Sequence, residues 1–273
     1  MTIKNSIYDN TSEQRKKEEI EFHNLRELDR LELTDEEYQN KYSNKKFYNV
    51  QRRSTTYYHS QLRKYCTNKK VLDYCCGLGE TSLELAKIDA EVVGVDISDE
   101  SINTTRNLLK ENGYQKKSNF FVMDAENMTF EDNSFDTVIC SGVLHHLDVN
   151  KAFPEIARVL KEDGKVICVE ALGYNPFIRL YRKLTPHLRT AWEVDHILTM
   201  KEIKLAKNYF NTVNVQFFHL FTLIAIPFQN TFFFKPLLSL CESLDLIACK
   251  IPFLKLWSWQ MIFILSDLKN YKK

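Results

Sequence analysis

The central part of the chain alternates short apolar segments with amphipathic ones, and this alternation constrains the fold more than any other feature. Five apolar segments predict strands: KVLDYC, EVVGVDI, NFFVMDA, FDTVICSG and KVICVEA. Residues 80–87, 99–112 and 152–161 predict helices between them. Strands separated by helices of roughly ten to fifteen residues indicate right-handed crossovers and a parallel sheet covered on both faces.

Composition excludes several classes of protein. The chain has 273 residues, 44% of them hydrophobic and 27% charged, which suits one large globular domain with an accessory layer. Thirty-seven Lys and Arg against 36 Asp and Glu give a formal net charge of +1, so we expect no nucleic-acid partner. The seven cysteines are scattered and the first ten residues lack a secretory pattern, so we expect reduced thiols and a cytoplasmic location.

The sequence predicts two units. Residues 1–68 form an N-terminal helical cap, and residues 69–273 form the main domain, which contains the central part and has insertions at residues 174–210 and 220–257. In the cap, an apolar stripe at helical spacing is expected to lie across another surface. The stripe consists of Ile20, Leu25, Leu28 and Leu31. The segments NTVNVQFFHL and SWQMIFILSDL predict two further strands near the end of the chain.

Residues 220–257 form the most apolar segment. A membrane-spanning helix needs about 20 predominantly apolar residues, whereas Pro227, Lys235 and Glu242 interrupt this segment. We therefore predict a hairpin of two short helices inserted before the last strand. It would be a lid, a surface that touches a membrane, additional core or an oligomer interface, and the sequence leaves these four roles open.

The segment VLDYCCGLGE carries the sharpest signal for a binding site. A predicted strand ends at Asp73, and a turn with Gly77 and Gly79 then opens a helix, where backbone approaches a ligand closely. In open parallel sheets the ligand lies outside the carboxyl ends of the strands. A carboxylate there repels a pyrophosphate and attracts an ammonium group, so Asp73 favours S-adenosylmethionine over a dinucleotide.

Two more acids follow at the ends of the next two predicted strands. Asp96 lies at about the separation expected for the acid that binds ribose hydroxyls. Asp124 is placed to accept from an adenine amino group, while Ala125 presents its backbone. A single acid at a strand end is usually a helix cap or turn residue. The three together predict one shared site.

With these motifs, the sequence resembles the class I S-adenosylmethionine-dependent methyltransferases with small-molecule acceptors. The resemblance covers roughly Lys70 to Ala171, through VLDYCCGLG, VVGVDIS, VMDAENM and FDTVICSGVLHHL. It implies an α/β Rossmann-like fold whose seven-stranded, mostly parallel sheet has helices on both faces and an antiparallel last strand. It implies S-adenosyl-L-methionine contacts from Asp73, Cys75, Gly77, Gly79, Asp96, Ile97, Asp124, Ala125 and Ser141. The family usually has glycine where this chain has Cys75, which bears on cofactor affinity.

Methyl transfer mainly requires alignment of the acceptor and exclusion of water, and a histidine base helps when the acceptor is a hydroxyl or amine. The resemblance puts His145 and His146 in the loop that lines the acceptor pocket, and we favour His146 as a base or orienting group. His196 is a further candidate, and His23 and Tyr48 would reach the site from the cap. We expect no metal, because no Cys or His pair has a recognised ligand spacing.

Three functions compete at this stage. The first is a methyltransferase acting on O, N or C of a small, predominantly hydrophobic and lipid-like molecule, with peripheral membrane contact through residues 220–257. The second is a nicotinamide-dependent oxidoreductase, against which Asp73 and the replacement of the third small fingerprint residue by Ser82 count. The third is a non-catalytic cofactor-binding module. Sequence alone leaves the acceptor and the oligomeric state open.

Overall fold

The computed structural model describes residues 2–42 and 45–269, and seven strands of this part form a single sheet. Their bounds are β1 Lys70–Tyr74, β2 Glu91–Asp96, β3 Ser118–Val122, β4 Phe135–Ser141, β5 Leu160–Ala171, β6 Phe210–Phe218 and β7 Gln260–Leu268. The strand order is β3-β2-β1-β4-β5-β7-β6. Strands β1 to β5 pair in parallel, and β7 is antiparallel to both β5 and β6. The predicted α/β Rossmann-like fold is confirmed.

Helices cover both faces of the sheet. They are α1 Thr2–Glu32, α2 Asp35–Tyr42, α3 Lys45–Tyr48, α4 Arg52–Cys66, α5 Glu80–Ala86, α6 Asp99–Glu111, α7 Val149–Val159, α8 Pro176–Leu184, α9 Ala191–Asp195, α10 Met200–Leu205 and α11 Phe234–Ala248. Helices α4, α5 and α6 pack on the face that carries Val71, whereas α7 and α10 pack on the face that carries Leu72. Both side chains are fully buried, which explains why the strand reads as a continuous apolar run.

The orientation of the cap helix α1 differs from the prediction made from its apolar stripe. Leu25 and Leu28 are exposed, while Arg15, Glu19 and Glu27 are buried. Helix α1 thus turns its charged side chains toward the rest of the protein. The prediction was wrong because Arg15 and Glu19 have partners elsewhere in the chain, so the buried side of this helix does not follow its apolar residues.

The apolar segment before β7 also differs from its prediction. It contains one long helix, α11, between 3₁₀ turns at Thr222–Phe228 and Leu254–Trp257, in place of two short helices. Pro227 falls inside the first turn, where a ring without an N–H cannot extend an α-helix. Within residues 2–42 and 45–269, no helix has both the length and the apolarity needed to cross a membrane.

Smaller differences concern helix ends. The helix predicted at residues 152–161 begins earlier, at Val149, because Asp148 caps it, and it ends at Val159, where β5 starts. Asp148 Oδ1 accepts from the Asn150 N–H at 3.0 Å. In the predicted insertion at residues 174–210, helix α8 ends at Leu184, since Pro186 begins a separate 3₁₀ turn.

Candidate functional site

The carboxyl ends of the central strands open into a cavity of about 1010 Å³. Strands β2 and β4 lie on opposite sides of β1, so the strand order switches direction at β1. The cavity lies at this switch, which is where open α/β sheets bind ligands. Asp73, Asp96 and Asp124 all line this cavity. The three acids that the sequence pattern singled out therefore face one shared space.

The turn after β1 has the backbone conformation of a ligand-binding loop. Gly77 and Gly79 have φ of +51° and +81°, and Cys75, which is not a glycine, has φ of +58°. A Cβ at Gly77 would meet no atom within 4 Å, so the backbone there borders open space. A Cβ at Gly79 would lie 2.8 Å from Thr105 Cγ2, and Gly79, which caps the start of α5, is not one of the residues that line the cavity.

Asp73 is buried at the inner wall of the cavity. Its Oδ2 accepts a hydrogen bond from Ser82 Oγ at 2.5 Å, and its side chain is 2% exposed. Burial raises the pKa of Asp73 to about 7, although the bond from Ser82 opposes this shift. A cationic group beside this carboxyl would favour its ionised form.

Asp96 joins the ends of β1 and β2. Its Oδ2 accepts from the Gly77 N–H at 2.9 Å, and its Oδ1 accepts from the Ser98 N–H at 3.0 Å. Ile97 follows it on the cavity wall. Each carboxylate oxygen has further acceptor capacity, so Asp96 holds the glycine turn and still offers acceptors to a ligand.

Asp124 and Ala125 line the cavity after β3. Asp124 Oδ2 accepts from Lys16 Nζ of α1 at 2.7 Å, and the Ala125 carbonyl accepts from Tyr74 Oη at 2.7 Å. The sequence did not predict the lysine. It arrives from the cap, which closes this side of the cavity.

Ser141 ends β4, and the loop that follows carries the two histidines; all three residues line the cavity. Glu170 of β5 fixes this loop: its Oε1 accepts from the backbone N–H groups of Val143 and Leu144 at 2.9 and 2.7 Å. Its Oε2 lies 2.8 Å from His145 Nδ1. Glu170, a buried acid inside a strand, is a site residue that the sequence reasoning missed.

His145 is a cation at neutral pH. Burial alone would lower the pKa of His145, but the carboxylates of Glu170 and Glu193 raise it to about 9. Glu193 Oε2 lies 3.7 Å from His145 Nε2. A protonated imidazole donates hydrogen bonds and cannot accept a proton, so His145 is unsuited to act as a base.

His146 faces the cap helix. Its Nδ1 lies 3.0 Å from Glu19 Oε2, and the His145 and His146 ring centroids are 4.3 Å apart. Glu19 also accepts from Thr190 Oγ1 at 2.7 Å. Burial would raise the pKa of Glu19, yet the hydrogen bonds from His146 and His23 hold it well below its usual range.

Helix α1 contributes residues that lie more than 100 positions away from their partners. Arg15 pairs with Glu126 and donates to the His146 carbonyl at 2.9 Å. His23 and Tyr48, the two residues proposed to arrive from the cap, line the cavity. Local sequence patterns carry no signal for contacts at this separation.

His196 lies outside this arrangement. It is exposed, does not line the cavity, and stacks on Trp192 with ring centroids 3.4 Å apart. Trp192 in turn donates from Nε1 to the His145 carbonyl at 3.1 Å. The geometry therefore removes His196 from the group of candidate catalytic residues.

Two groups of side chains bring together glutamate and histidine, which are residue types that bind metals, although the sequence predicted no metal. Within each group the possible ligand atoms lie within 4.8 Å of one another. One group is Glu19, His23 and His146, and the other is His145, His146 and Glu193. These carboxylates and imidazoles already pair directly, at 3.0 Å between Glu19 and His146. Ion pairing accounts for the proximity.

The chain is similar to proteins that are named as methyltransferases. Residues 72–168 match a family model described as a methyltransferase domain. The uncharacterized methyltransferase YcgJ of Bacillus subtilis is 33% identical over 129 residues, 47% of this chain and 50% of that protein. The ubiquinone/menaquinone biosynthesis C-methyltransferase UbiE of Geotalea daltonii is 31% identical over 111 residues, 39% of this chain and 47% of that protein. The chain thus spans about half the length of these curated relatives.

A solved structure shares the fold. Phosphoethanolamine N-methyltransferase 2 of Haemonchus contortus, in complex with S-adenosyl-L-methionine, superposes with a TM-score of 0.55 and 20% identity. The match covers 76% of this chain and 51% of that one. Together with the matched domain and the motifs at the strand ends, the sheet confirms the family resemblance. The domain built around residues 72–168 belongs to the class I S-adenosylmethionine-dependent methyltransferase family.

Proposed function

We propose that this protein transfers a methyl group from S-adenosyl-L-methionine to a small, predominantly hydrophobic acceptor. The observation that carries the proposal is the convergence of Asp73, Asp96 and Asp124 on one cavity beside the glycine turn. A dinucleotide suits this cavity less well, because its pyrophosphate would face the Asp73 carboxyl at short range.

Each acid takes one part of the cofactor in this proposal. Asp73 binds the ammonium group of the methionine portion, Asp96 accepts from the ribose hydroxyls, and Asp124 accepts from the adenine amino group. Gly77 leaves room for close approach of the ligand to the backbone. Cys75, Ile97, Ala125 and Ser141 complete the cofactor wall, and all four line the cavity. When bound, the cofactor supplies a methyl group activated by a sulfonium charge.

The two histidines have different roles in this scheme. His145, held as a cation between Glu170 and Glu193, positions the loop that borders the acceptor side of the cavity. His146 orients the acceptor or removes its proton, with Glu19 fixing its ring through Nδ1. The chain thereby aligns an acceptor while the cap excludes water.

A hydrophobic acceptor is supported by a second cavity of about 420 Å³. Its wall is mostly apolar and includes Phe177, Leu223 and Ile226. Phe47, Ile178 and Tyr181 line both cavities, so an apolar portion of the acceptor extends from the first into the second. UbiE, which is similar to this chain, is named as a quinone C-methyltransferase, and this supports carbon as a methylated atom beside O and N.

The protein further docks on a membrane surface, in our proposal, through residues 220–257 and the adjoining helix α8. Phe177, Phe232 and Phe253 are 76%, 82% and 84% exposed there. The acids of residues 220–257, Glu242 and Asp245, are buried, so the exposed charges of this segment are positive. An apolar face with only basic charges suits a bilayer with anionic headgroups.

A labelled-methyl transfer assay tests the function. The full chain is incubated with methyl-labelled S-adenosyl-L-methionine and a panel of hydroquinones, phenols and amines that carry apolar tails. We expect transfer to at least one of them, and His146→Ala should lower turnover without changing cofactor affinity. If His146→Ala turns over as fast as the wild type, His146 has no part in the chemistry. Binding of NADH without binding of S-adenosylmethionine would instead favour an oxidoreductase.

Vesicle sedimentation tests the membrane contact. Phosphatidylglycerol-containing vesicles should retain the protein better than phosphatidylcholine vesicles, and salt should release it. Phe253→Ser should weaken retention, because it removes an exposed apolar anchor, while Leu25→Ser on the exposed side of α1 serves as the matched control. Equal retention of the two variants and the wild type would contradict the proposed face.

A further inference from the structure

Two arginines on the acceptor side of the main cavity have no carboxylate partner among the residues that the structure describes. Arg182 of α8 and Arg189, which precedes α9, both line this cavity. Arg182 is only 8% exposed and Arg189 is half-buried. In the described part of the chain, neither guanidinium has a carboxylate oxygen within 4.0 Å. Charged side chains as buried as Arg182 are normally paired.

The hydrogen bonds of these two side chains leave their charge uncompensated. Arg182 donates from Nη2 to the Glu193 carbonyl, and its buried Nε has no partner among the described residues. Arg189 donates from Nη1 to the Thr185 carbonyl at 2.8 Å and to Thr185 Oγ1 at 3.1 Å. Neutral acceptors satisfy some of the N–H groups, but an unpaired donor in a buried cation still carries a desolvation cost.

The acids nearby are committed to other groups. Glu170 and Glu193, whose charges act on Arg182, contact His145 through their carboxylates. Burial and the neighbouring Arg189 lower the pKa of Arg182 to about 10, so it stays charged at neutral pH. Two cations thus repel each other at the wall of the cavity, and the buried Nε of one of them, Arg182, lacks a hydrogen-bond acceptor among the described residues.

We propose that Arg182 and Arg189 bind an oxyanion group of the acceptor, a carboxylate or a phosphate. Planar guanidinium forks match both groups, and a buried anion would neutralise the two charges together. This inference rests on the proposed function and narrows its acceptor. Tyr181 and Ile178 lie on the same helix as Arg182 and border the apolar side cavity. The acceptor is therefore an amphiphile whose anionic group lies at the two arginines and whose apolar portion extends into the side cavity.

Calorimetric titration with three probes of equal tail length tests this inference. Dodecanoate, dodecyl phosphate and neutral dodecanol are titrated into the full chain below their aggregation concentrations. We expect at least one anionic probe to bind at least tenfold more tightly than dodecanol. Preference for dodecyl phosphate or for dodecanoate assigns the oxyanion. Equal affinity for all three probes would overturn the proposal.

Variants locate the site. Arg189→Gln, at a half-exposed position, should weaken binding of the preferred anion at least tenfold and leave dodecanol unaffected. Arg182→Lys keeps the charge but loses the planar guanidinium, and it should weaken binding of the preferred anion severalfold. Arg179→Gln, an exposed position on the same helix outside both cavities, is the control and should bind like the wild type. Unchanged anion binding in Arg189→Gln would overturn the site even if Arg182→Lys fails to fold.

A parallel titration of each protein with S-adenosyl-L-methionine separates this inference from the proposed function. If the wild type binds the cofactor but does not distinguish the probes, only the oxyanion site is wrong. If it binds the anionic probe through Arg189 but not the cofactor, the oxyanion site stands and the methyltransferase proposal is wrong.

Discussion

Cys75 adopts a backbone conformation that favours glycine. Its φ of +58° lies in the left-handed region, where a Cβ crowds the following carbonyl oxygen. Glycine is what the resembling family usually has here, and the structure supplies the physical reason. The neighbouring turn residues Gly77 and Gly79 also have positive φ, and they adopt it without a Cβ that would crowd the backbone.

Removing the Cβ at position 75 should therefore stabilise this turn. We expect Cys75→Gly to have a free energy of unfolding about 1 kcal/mol higher than Cys75→Ala, since both lack the sulfur and only alanine keeps the Cβ. Urea denaturation of the two variants gives the difference. A lower stability of the glycine variant would mean that the strain at this position is negligible.

The Asp73 carboxyl predicts a pH dependence of cofactor binding. Because its pKa is raised to about 7 in the free protein, it is increasingly protonated below pH 7, and only its ionised form pairs with an ammonium group. Affinity for S-adenosyl-L-methionine should fall roughly tenfold between pH 7.5 and pH 6. Asp73→Asn should bind weakly at both pH values with no such change. A pH-independent affinity of the wild type would exclude Asp73 from the ammonium contact.

At the scale of elements, the loop between β4 and α7 depends on a strand residue. Glu170 is 1% exposed and holds two backbone N–H groups and His145. The sequence showed the histidines because imidazoles after a strand stand out. The sequence did not indicate Glu170, because its role depends on contacts with the loop after β4 that form only in the folded protein.

Glu170→Gln should lower the free energy of unfolding by about 1.5–3 kcal/mol, the range for hydrogen bonds to a charged group. The amide keeps one acceptor oxygen but removes the counter-charge of His145. Glu162→Gln changes an exposed acid of the same strand and should leave stability unchanged. Chemical denaturation compares the three proteins. Equal midpoints for both variants would show that Glu170 does not hold the loop.

For the molecule as a whole, the sequence predicted the sheet better than the cap. Apolar segments predicted all seven strands, and in β1, β2 and β4 burial on both faces gives nearly continuous apolar runs. Helix α1 broke the rule that apolar residues face inward. Its buried Arg15 and Glu19 pair with Glu126 and His146, and such long-range pairs depend on the folded geometry.

His219 links the N-terminal helices to the C-terminal insertion. Its ring nitrogens contact Ser54 Oγ of α4 at 2.7 Å and Thr222 Oγ1 at 3.1 Å. Burial, with a smaller effect of Arg53, lowers the pKa of His219 to about 3. Between that value and the unfolded pKa of about 6.5, the unfolded chain binds a proton that the folded chain does not, so stability falls as pH falls.

The wild type should therefore lose about 1.4 kcal/mol more stability than His219→Asn between pH 7.5 and pH 5.5. Asparagine suits the positive φ of this position, 68°, and does not titrate in this range. Urea denaturation at both pH values measures the difference, in which other titrating groups cancel. Parallel losses in both proteins would show that His219 is protonated in the folded state.

Calorimetric titration with S-adenosyl-L-methionine measures whether the strand-end acids bind the cofactor. We expect one cofactor bound per chain, with affinity weakened by about 1–3 kcal/mol in Asp96→Ala. Glu91→Ala, at the exposed opposite end of β2, should bind like the wild type. Absence of binding to the folded wild type, or unchanged affinity in Asp96→Ala, would contradict the claim that the strand-end acids form the cofactor site.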